Sequence, residues 1–359
     1  MKIKKEYPHL IDTAELFIHN ADKLSSFYQK LDSLSKGQKK KLKIFHIGNS
    51  HIQADFLTGR MRTLFHKKYG NGGRGTIFPY KLAGTNGPDD IKINSNIAWN
   101  AQRNVFPKKP FKTGISGITL VSKKKEFFLE VGLKKSDSLN NKFAKGILFH
   151  NISTKENPFD FYISTDSGIS EAVKPKRKVF HHKIQKGESL STIASKNNVT
   201  VMQLKRWNDL DKNNIYAGEK LKYYKVADKN NSTISNDLKK LKPKKIKWKA
   251  SGFMEFKLKK PQNSIILRYK APKKAELNGI YLENNNPGLV YSMIGVNGAK
   301  FEHYNKSEKF FPQFDQLNKD LVIIALGTNE ALDRNYTKEK IRKHMKTFYT
   351  KLKNSTDAD

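Results

Sequence analysis

Residues 41–62, KLKIFHIGNSHIQADFLTGRMR, contain the junction that decides the predicted fold. Residues 43–47 form a short apolar run typical of a buried strand, and residues 53–67 carry apolar positions at helical spacing. Between them lies Ser50, two residues after Gly48, where the chain turns from strand to helix. A strand that leads directly into a helix is typical of α/β folds, and it makes Ser50 a candidate nucleophile at the end of a strand.

The length and composition limit the class of protein. A chain of 359 residues is expected to form two or three domains, and 37% hydrophobic residues are sufficient for real cores. No apolar run approaches the roughly 18 residues that a membrane-spanning helix needs. The absence of cysteine excludes disulfides and thiolate metal sites. No signal peptide is visible, because Glu6, His9 and Asp12 interrupt the apolar run that an export signal requires.

The net charge of +36, from 69 Lys and Arg against 33 Asp and Glu, is compatible with several polyanionic partners. Nucleic acid, an anionic membrane surface and an acidic polymer such as cell wall all fit it. The densest clusters, at 36–43 and 238–249, lack the interleaved aromatic residues of a single-strand binding platform. We therefore expect solvated lysines and no specific nucleic-acid site, with a charge-driven polyanion-binding protein as an alternative.

Pattern changes along the chain predict a divided α/β domain with a β-sandwich inserted in it. Short alternating runs with turn residues between them occur on both sides of a self-contained module, and half of a sandwich cannot cover its own apolar face. The predicted parts are an N-terminal helical segment (1–37), the α/β core (38–100 and 289–359), the sandwich (101–175 and 247–288), the module (179–225) and a linker (226–246).

The module resembles a LysM domain across residues 181–224, HHKIQKGESLSTIASKNNVTVMQLKRWNDLDKNNIYAGEKLKYY. The resemblance rests on the spacing of its glycine, leucine and asparagine positions, and it implies a βααβ unit that binds glycans containing N-acetylglucosamine, either peptidoglycan or chitin. It also implies a groove between the turn after the first strand and the loop before the second. The implied glycan-binding residues are Gly187, Glu188, Ser189, Leu190, Leu210, Asn213, Ile215 and Tyr216.

A serine nucleophile needs a general base and an oxyanion hole, because its hydroxyl is too weakly acidic to attack an ester unaided. Two further apolar strands end in candidate oxyanion elements, in IGVNGAKFEHY (294–304) and LVIIALGTNEA (321–331). Together with IGNSH (47–51), these motifs resemble those of the SGNH/GDSL hydrolases. The resemblance implies a three-layer flavodoxin-like core and no metal or cofactor. It implies Ser50 as nucleophile, with the Gly298 N–H and the Asn329 amide as oxyanion donors.

The chain departs from that family at two points. Asn49 replaces the aspartate that commonly precedes the serine, and none of the ten histidines has an aspartate three residues before it, so the Asp-x-x-His motif is absent. Only three strands of the core sheet are recognisable. We therefore expect an incomplete core whose catalytic activity is severely impaired in the given chain. We also expect the chain to be the N-terminal portion of a longer protein. Arg74, in the predicted glycine-rich loop GNGGRG (70–75), and His303 are candidate substrate contacts.

The order of the parts resembles bacterial peptidoglycan O-acetylesterases. This resemblance implies a serine esterase of the periplasm or cell envelope that removes O-acetyl groups from peptidoglycan through an acyl-serine intermediate, targeted by its LysM module. A non-catalytic peptidoglycan-binding protein with a degenerate or truncated hydrolase core is the alternative, and the missing base and Asn49 favour it.

Overall fold

The computed structural model describes residues 18–105, 112–134, 141–152, 158–163, 176–197, 199–227, 247–249 and 252–355. The predicted helical segment at 1–37 and the predicted linker at 226–246 lie partly outside these residues. The helices are α1 (Ser25–Ser35, after a 3-10 turn at Ala21–Leu24), α2 (Ser50–Gln53), α3 (Phe56–Tyr69), α4 (Leu190–Asn197), α5 (Val201–Trp207), α6 (Phe301–Asn305), α7 (Phe310–Asp315), α8 (Thr328–Ala331) and α9 (Lys338–Lys353).

Seventeen strands occur within the described ranges. They are β1 (Lys41–Gly48), β2 (Asn71–Gly73), β3 (Gly75–Ile77), β4 (Ile91–Ser95), β5 (Asn100–Arg103), β6 (Ile118–Ser122), β7 (Glu126–Leu133), β8 (Phe143–His150), β9 (Phe159–Ile163), β10 (Lys176–Lys183), β11 (Lys220–Ala227), β12 (Lys247–Lys249), β13 (Phe253–Gln262), β14 (Ser264–Lys270), β15 (Ala275–Glu283), β16 (Gly288–Gly295) and β17 (Leu321–Ala325).

Four parallel strands form the α/β sheet, in the order β17, β1, β16 and β2. Helix α1 packs against β1, and helix α3 packs against β16. Because the strands run in the same direction, the loops that follow them meet at one edge of the sheet. The side chains that form a buried cluster on one face of this sheet are Phe27, Leu34, Leu42, Ile44, Leu289 and Tyr291.

The glycine-rich segment at 70–75 contains strand structure, where the sequence predicted only a loop. Asn71–Gly73 is β2, the fourth strand of the parallel sheet, and β3 begins at Gly75 and pairs with β15 in another sheet. Three residues, two of them glycine, carry no strand pattern, so the prediction of three strands missed β2. Gly75 has φ +76°, and a Cβ there would lie 2.2 Å from Ser292 Oγ. Glycine is thus required where the chain crosses between the two sheets.

The helix predicted at 53–67 is two helices, α2 and α3, with a break at Asp55. Asp55 adopts the left-handed conformation with φ 61°, which ends α2. Its buried carboxylate accepts hydrogen bonds from the Thr58 hydroxyl and from both terminal nitrogens of Arg62, at 3.0 and 2.8 Å. Apolar spacing could not reveal this break, because polar side-chain contacts hold it.

Two antiparallel sheets form the β region and share an apolar core with the parallel sheet. The larger sheet follows the path β12, β13, β8, β15, β6 and β5, with β3 also paired to β15, and the smaller follows β4, β7, β14 and β9. Both sheets contain strands from the two stretches predicted to form a sandwich. Strands β3 and β4 belong to them as well, so the β region begins before the predicted residue 101.

The module at 176–227 is a βααβ unit, in which β10 and β11 pair in antiparallel register and α4 and α5 lie between them in the chain. Its buried core includes Ile193, Leu204 and Leu221. The Thr200 hydroxyl accepts from the Gln203 N–H at 3.0 Å and caps α5.

The basic helix predicted at 337–353 is confirmed as α9. It begins after Thr337, whose hydroxyl accepts from the Lys340 N–H at 3.3 Å, and it buries Phe348 and Leu352. Within the ranges that the structure describes, neither this helix nor any other is long and apolar enough to cross a membrane.

Candidate functional site

Three neighbouring strands of the parallel sheet end level with one another. Gly48, the last residue of β1, lies opposite the last residues of both β16 and β17. Ser50, Gly298 and Asn329 follow these strand ends by two, three and four residues. The register therefore brings the three sequence motifs to the same edge of the sheet.

Ser50 begins helix α2 and is half-buried. The side chain of the buried Asn49 caps this helix, because its Oδ1 accepts a 3.3 Å hydrogen bond from the His51 N–H. Within the described part of the chain, neither the hydroxyl nor the N–H of Ser50 donates a hydrogen bond to another residue. Both groups are therefore available to a bound molecule.

Gly298 lies in a tight turn after β16, with φ +78°. The turn is closed by the Ala299 N–H, which donates to the Val296 carbonyl at 3.0 Å, and it is joined to β1 by the Val296 N–H, which donates to the Gly48 carbonyl at 3.3 Å. The Gly298 N–H has no acceptor among the residues that the structure describes. After the Ser50 N–H, it is a second unused backbone donor at this edge.

Asn329 lies in α8, beside the Gly298 turn. Its Nδ2 donates a 2.8 Å hydrogen bond to the carbonyl oxygen of Ala299. A side-chain amide carries two N–H donors, so this bond orients the group and leaves one donor for another acceptor. The Asn329 amide thus has the hydrogen-bonding capacity expected of an oxyanion donor.

Glu330 was not predicted from the sequence, and it joins the Asn329 helix to the turn that carries Gly298. Its buried carboxylate accepts from the Phe301 N–H at 2.7 Å and from the Gly327 N–H at 3.2 Å. Gly327 has φ +114°, which glycine adopts readily. The only available sequence signal was a charged residue beside Asn329, which does not reveal a long-range partner.

Gln53 is a second residue that was not predicted from the sequence, and it joins the serine helix to the same turn. Its Oε1 accepts a 2.7 Å hydrogen bond from the Asn297 N–H. Its Nε2 donates to the Asn86 carbonyl at 2.7 Å and to the Thr85 hydroxyl at 3.0 Å. A polar residue three positions after Ser50 on a short helix gave a weak signal, because its partners are distant in sequence.

No histidine among the described residues hydrogen-bonds to the Ser50 hydroxyl. The Nδ1 of His51 lies 3.3 Å from the Oδ1 of Asn49. The Nδ1 of His303 accepts from the Lys300 N–H at 3.0 Å, and burial lowers the pKa of His303 to about 4. His303, a candidate substrate contact from the sequence, therefore caps helix α6 through this nitrogen.

Arg74 lies in a buried ion network and not on an open surface. Its side chain is 3% exposed, and its Nη2 donates to Asp55 at 3.0 Å and to Asp90 at 3.1 Å. Burial alone would lower the pKa of Arg74, but the charges of Asp90 and Asp55 outweigh burial and raise it. In this placement the donors of Arg74 bond to the protein itself, and the substrate contact expected from the sequence stays a prediction.

In the module, the turn at 186–189 is held by a hydrogen bond between His182 and Glu188. The Glu188 carboxylate lies 2.6 Å from His182 Nε2 and accepts from the Gln185 N–H at 2.9 Å. The hydrogen bond from His182 lowers the pKa of Glu188. The Ser189 hydroxyl accepts from the Thr192 N–H at 3.2 Å, so both side chains shape the turn.

The remaining predicted glycan-binding residues differ in exposure. Leu190 is buried in the core of the module, so its side chain packs beneath the turn. Leu210 and Ile215 are half-buried against that core. Asn213 is exposed and lies 3.4 Å from Lys205 Nζ. Tyr216 is 66% exposed, which makes it the largest accessible side chain of the predicted groove.

The comparisons with known proteins agree with this architecture. Residues 182–222 match the LysM domain family, which confirms the LysM resemblance. A solved structure of a peptidoglycan O-acetylesterase aligns with 93% of this chain and 69% of its own, with a TM-score of 0.54 at 17% identity. This likeness concerns the fold. Structures of an Agl-KA catalytic domain and of a GH87 α-1,3-glucanase align with TM-scores of 0.20 and 0.17, too low to inform the assignment. No curated protein matches the chain.

Proposed function

We propose that this chain belongs to a serine esterase of the SGNH/GDSL type that removes O-acetyl groups from peptidoglycan in the cell envelope. The observation that carries the proposal is the common register of β1, β16 and β17, which ends three strands beside Ser50, Gly298 and Asn329. The LysM domain at 182–222 supports peptidoglycan as the partner. The fold of the aligned peptidoglycan O-acetylesterase supports the same reaction class.

In the proposed reaction, the Ser50 hydroxyl oxygen attacks the acetyl carbonyl and the bond between that carbon and the sugar oxygen breaks. The sugar oxygen leaves as a hydroxyl after it takes up the proton that Ser50 gave to the base. The N–H groups of Ser50 and Gly298 and the Asn329 amide stabilise the negative charge that develops on the carbonyl oxygen. Water then attacks the acetyl-serine, which releases acetate and restores Ser50. A base must accept the proton of Ser50 in the first step and the proton of the attacking water in the second.

The proposal is tested by measuring acetate release from O-acetylated peptidoglycan by the full-length protein and its Ser50→Ala variant. We expect release by the wild type and a rate in the variant near that of the uncatalysed reaction. Equal release by both proteins would remove Ser50 from the chemistry.

A peptidoglycan-binding protein without catalysis is the second candidate. The lack of a histidine on Ser50 among the described residues, and Asn49 in place of aspartate, favour it. Retention of the full-length protein on insoluble peptidoglycan, with no acetate released, would select this function.

A further inference from the structure

We infer that Gln53 is a positioning residue that fixes the Gly298 N–H relative to the helix that carries Ser50. The inference rests on the proposed esterase function and adds to it a residue that does not touch the substrate. It starts from the side-chain amide of Gln53, which is fully engaged. The residue is 1% exposed, its oxygen accepts from the Asn297 N–H, and its nitrogen donates to the loop at 85–86.

The packing of the helix that carries Ser50 holds the backbone of Gln53 in place. Helix α2 lies directly on the end of β16, and a Cβ at Gly295 would be 2.2 Å from the Gln53 nitrogen. The Gln53 N–H donates to the Asn49 carbonyl at 2.9 Å, which places its backbone in the turn that begins at Ser50. A displacement of the Gln53 backbone would therefore displace Ser50 as well.

The loop on the other side of Gln53 is also anchored. The Tyr80 hydroxyl donates to the Gly295 carbonyl at 3.1 Å, and the Thr85 N–H donates to the Tyr80 carbonyl at 3.0 Å. The side chain of Asn297 reaches the same loop, donating to Asn86 Oδ1 at 2.8 Å. Gln53 thus completes a polar cluster whose members are held independently, and such a cluster fixes the side chain in one position.

The position of the Gly298 N–H, a donor of the proposed oxyanion hole, depends on the residues on either side of it in the chain. Gly298 lies between Asn297, held by the Gln53 amide, and Ala299, held by the Asn329 amide. Without Gln53, the Asn297 N–H would lose its acceptor, and Asn297 would keep only the hydrogen bonds from its own side chain to the loop at 85–86. Oxyanion donors stabilise a transition state only when their positions are preorganised, so a looser turn should weaken catalysis more than substrate binding.

The chain offers a matched control in Gln313. It is 4% exposed, its Oε1 accepts from the Ile115 N–H at 2.9 Å, and its Nε2 lies 3.3 Å from two backbone carbonyl oxygens, those of His150 and Gly252. It makes the same kinds of hydrogen bond as Gln53 but joins helix α7 to the β region. Methionine at either position keeps the buried volume and removes the hydrogen bonds.

The experiment compares Gln53→Met and Gln313→Met in the full-length protein by hydrogen exchange of the peptide 293–301 and by steady-state kinetics. We expect Gln53→Met to exchange this peptide about tenfold faster, because a buried donor loses its acceptor. We expect its kcat for acetate release to fall about 100-fold, with KM changed by less than about threefold. Gln313→Met should change neither quantity.

Unchanged exchange in Gln53→Met, or an equal effect of both variants on the peptide or on kcat, would overturn the inference. A wild-type protein without Ser50-dependent turnover would count against the proposed esterase and not against this contact. The exchange arm alone would then decide whether Gln53 positions the turn.

Discussion

The side-chain amide of Asn329 donates a 2.8 Å hydrogen bond to the carbonyl oxygen of Ala299, the residue that follows Gly298. These residues lie 30 positions apart in the chain and come together because β16 and β17 both neighbour β1. The bond orients the amide and leaves its second N–H unused. It also explains how an asparagine on one strand-end loop and a glycine on another can serve one site.

Asn329→Ala is expected to lower kcat for acetate release by the full-length protein about 100-fold, with a small effect on KM. In the proposed mechanism, the variant removes one donor that acts on charge present only in the transition state. The exposed Asn335 is the control, and Asn335→Ala should retain full activity. A kcat within about twofold of the wild type would exclude Asn329 from the oxyanion hole.

Arg74→Met is expected to destabilise the protein by about 3 kcal/mol, because it removes one of the two arginines that pair with the buried Asp55 and leaves the half-buried Asp90 with the longer 3.8 Å contact to Arg62. Denaturant unfolding measures this loss. The exposed Arg60→Met should change the free energy of unfolding by less than about 0.5 kcal/mol. If Arg74→Met instead raised KM and left stability intact, the residue would be a substrate contact after all.

Glu283 is expected to make the protein sensitive to acid. Its side chain is 2% exposed, and it pairs with Lys43 of β1 at 2.7 Å and Lys145 of β8 at 2.6 Å. Burial alone would raise the pKa of Glu283, but these charges and hydrogen bonds lower it from 4.5 to about 2.

A carboxylate whose pKa is lowered in the folded state stabilises it fully above pH 4.5, and this contribution is lost as the pH falls from 4.5 towards 2. The difference corresponds to about 3 kcal/mol. Unfolding free energies measured across this range should therefore fall less steeply for Glu283→Gln than for the wild type. The exposed Glu255→Gln should follow the wild type. Parallel curves for Glu283→Gln and wild type would show that the carboxylate is not stabilised by folding.

Tyr216→Ala is expected to weaken binding to insoluble peptidoglycan about tenfold, because large aromatic side chains contribute most to binding surfaces. The residue is 66% exposed beside the predicted groove, so its loss should leave the fold of the module intact. Met202 is 74% exposed on helix α5, and Met202→Ala serves as the control. Equal retention of the two variants in sedimentation assays would place the glycan elsewhere on the module.

Local pattern was sufficient to predict the strand-turn-helix unit at Ser50 and helix α9, and the LysM resemblance implied the βααβ module. Local pattern was not sufficient for β2, because two glycines in three residues carry no strand preference, or for the break at Asp55, because that break depends on Arg62 and Thr58. Contacts between distant segments explain the other differences. The sequence alone could not show that the Arg74 guanidinium pairs with Asp55 and Asp90.

In the candidate site as well, local sequence pattern did not reveal contacts between segments that are distant in the chain. The motifs gave Ser50, Gly298 and Asn329 as separate strand-end residues, and the sheet register then placed them at one edge. Gln53 and Glu330 carry no motif of their own. Their contacts could be seen only in the folded structure, where Gln53 accepts from the Asn297 N–H and Glu330 accepts from the Phe301 N–H.

The most direct test of the central claim is a crystal structure of the full-length protein after reaction with a phosphonate ester that mimics the tetrahedral intermediate. We predict a covalent bond to Ser50 Oγ, with one phosphonyl oxygen about 3 Å from both the Gly298 nitrogen and Asn329 Nδ2. A phosphonate attached to another residue, or an adduct on Ser50 whose oxygens contact neither donor, would contradict the account.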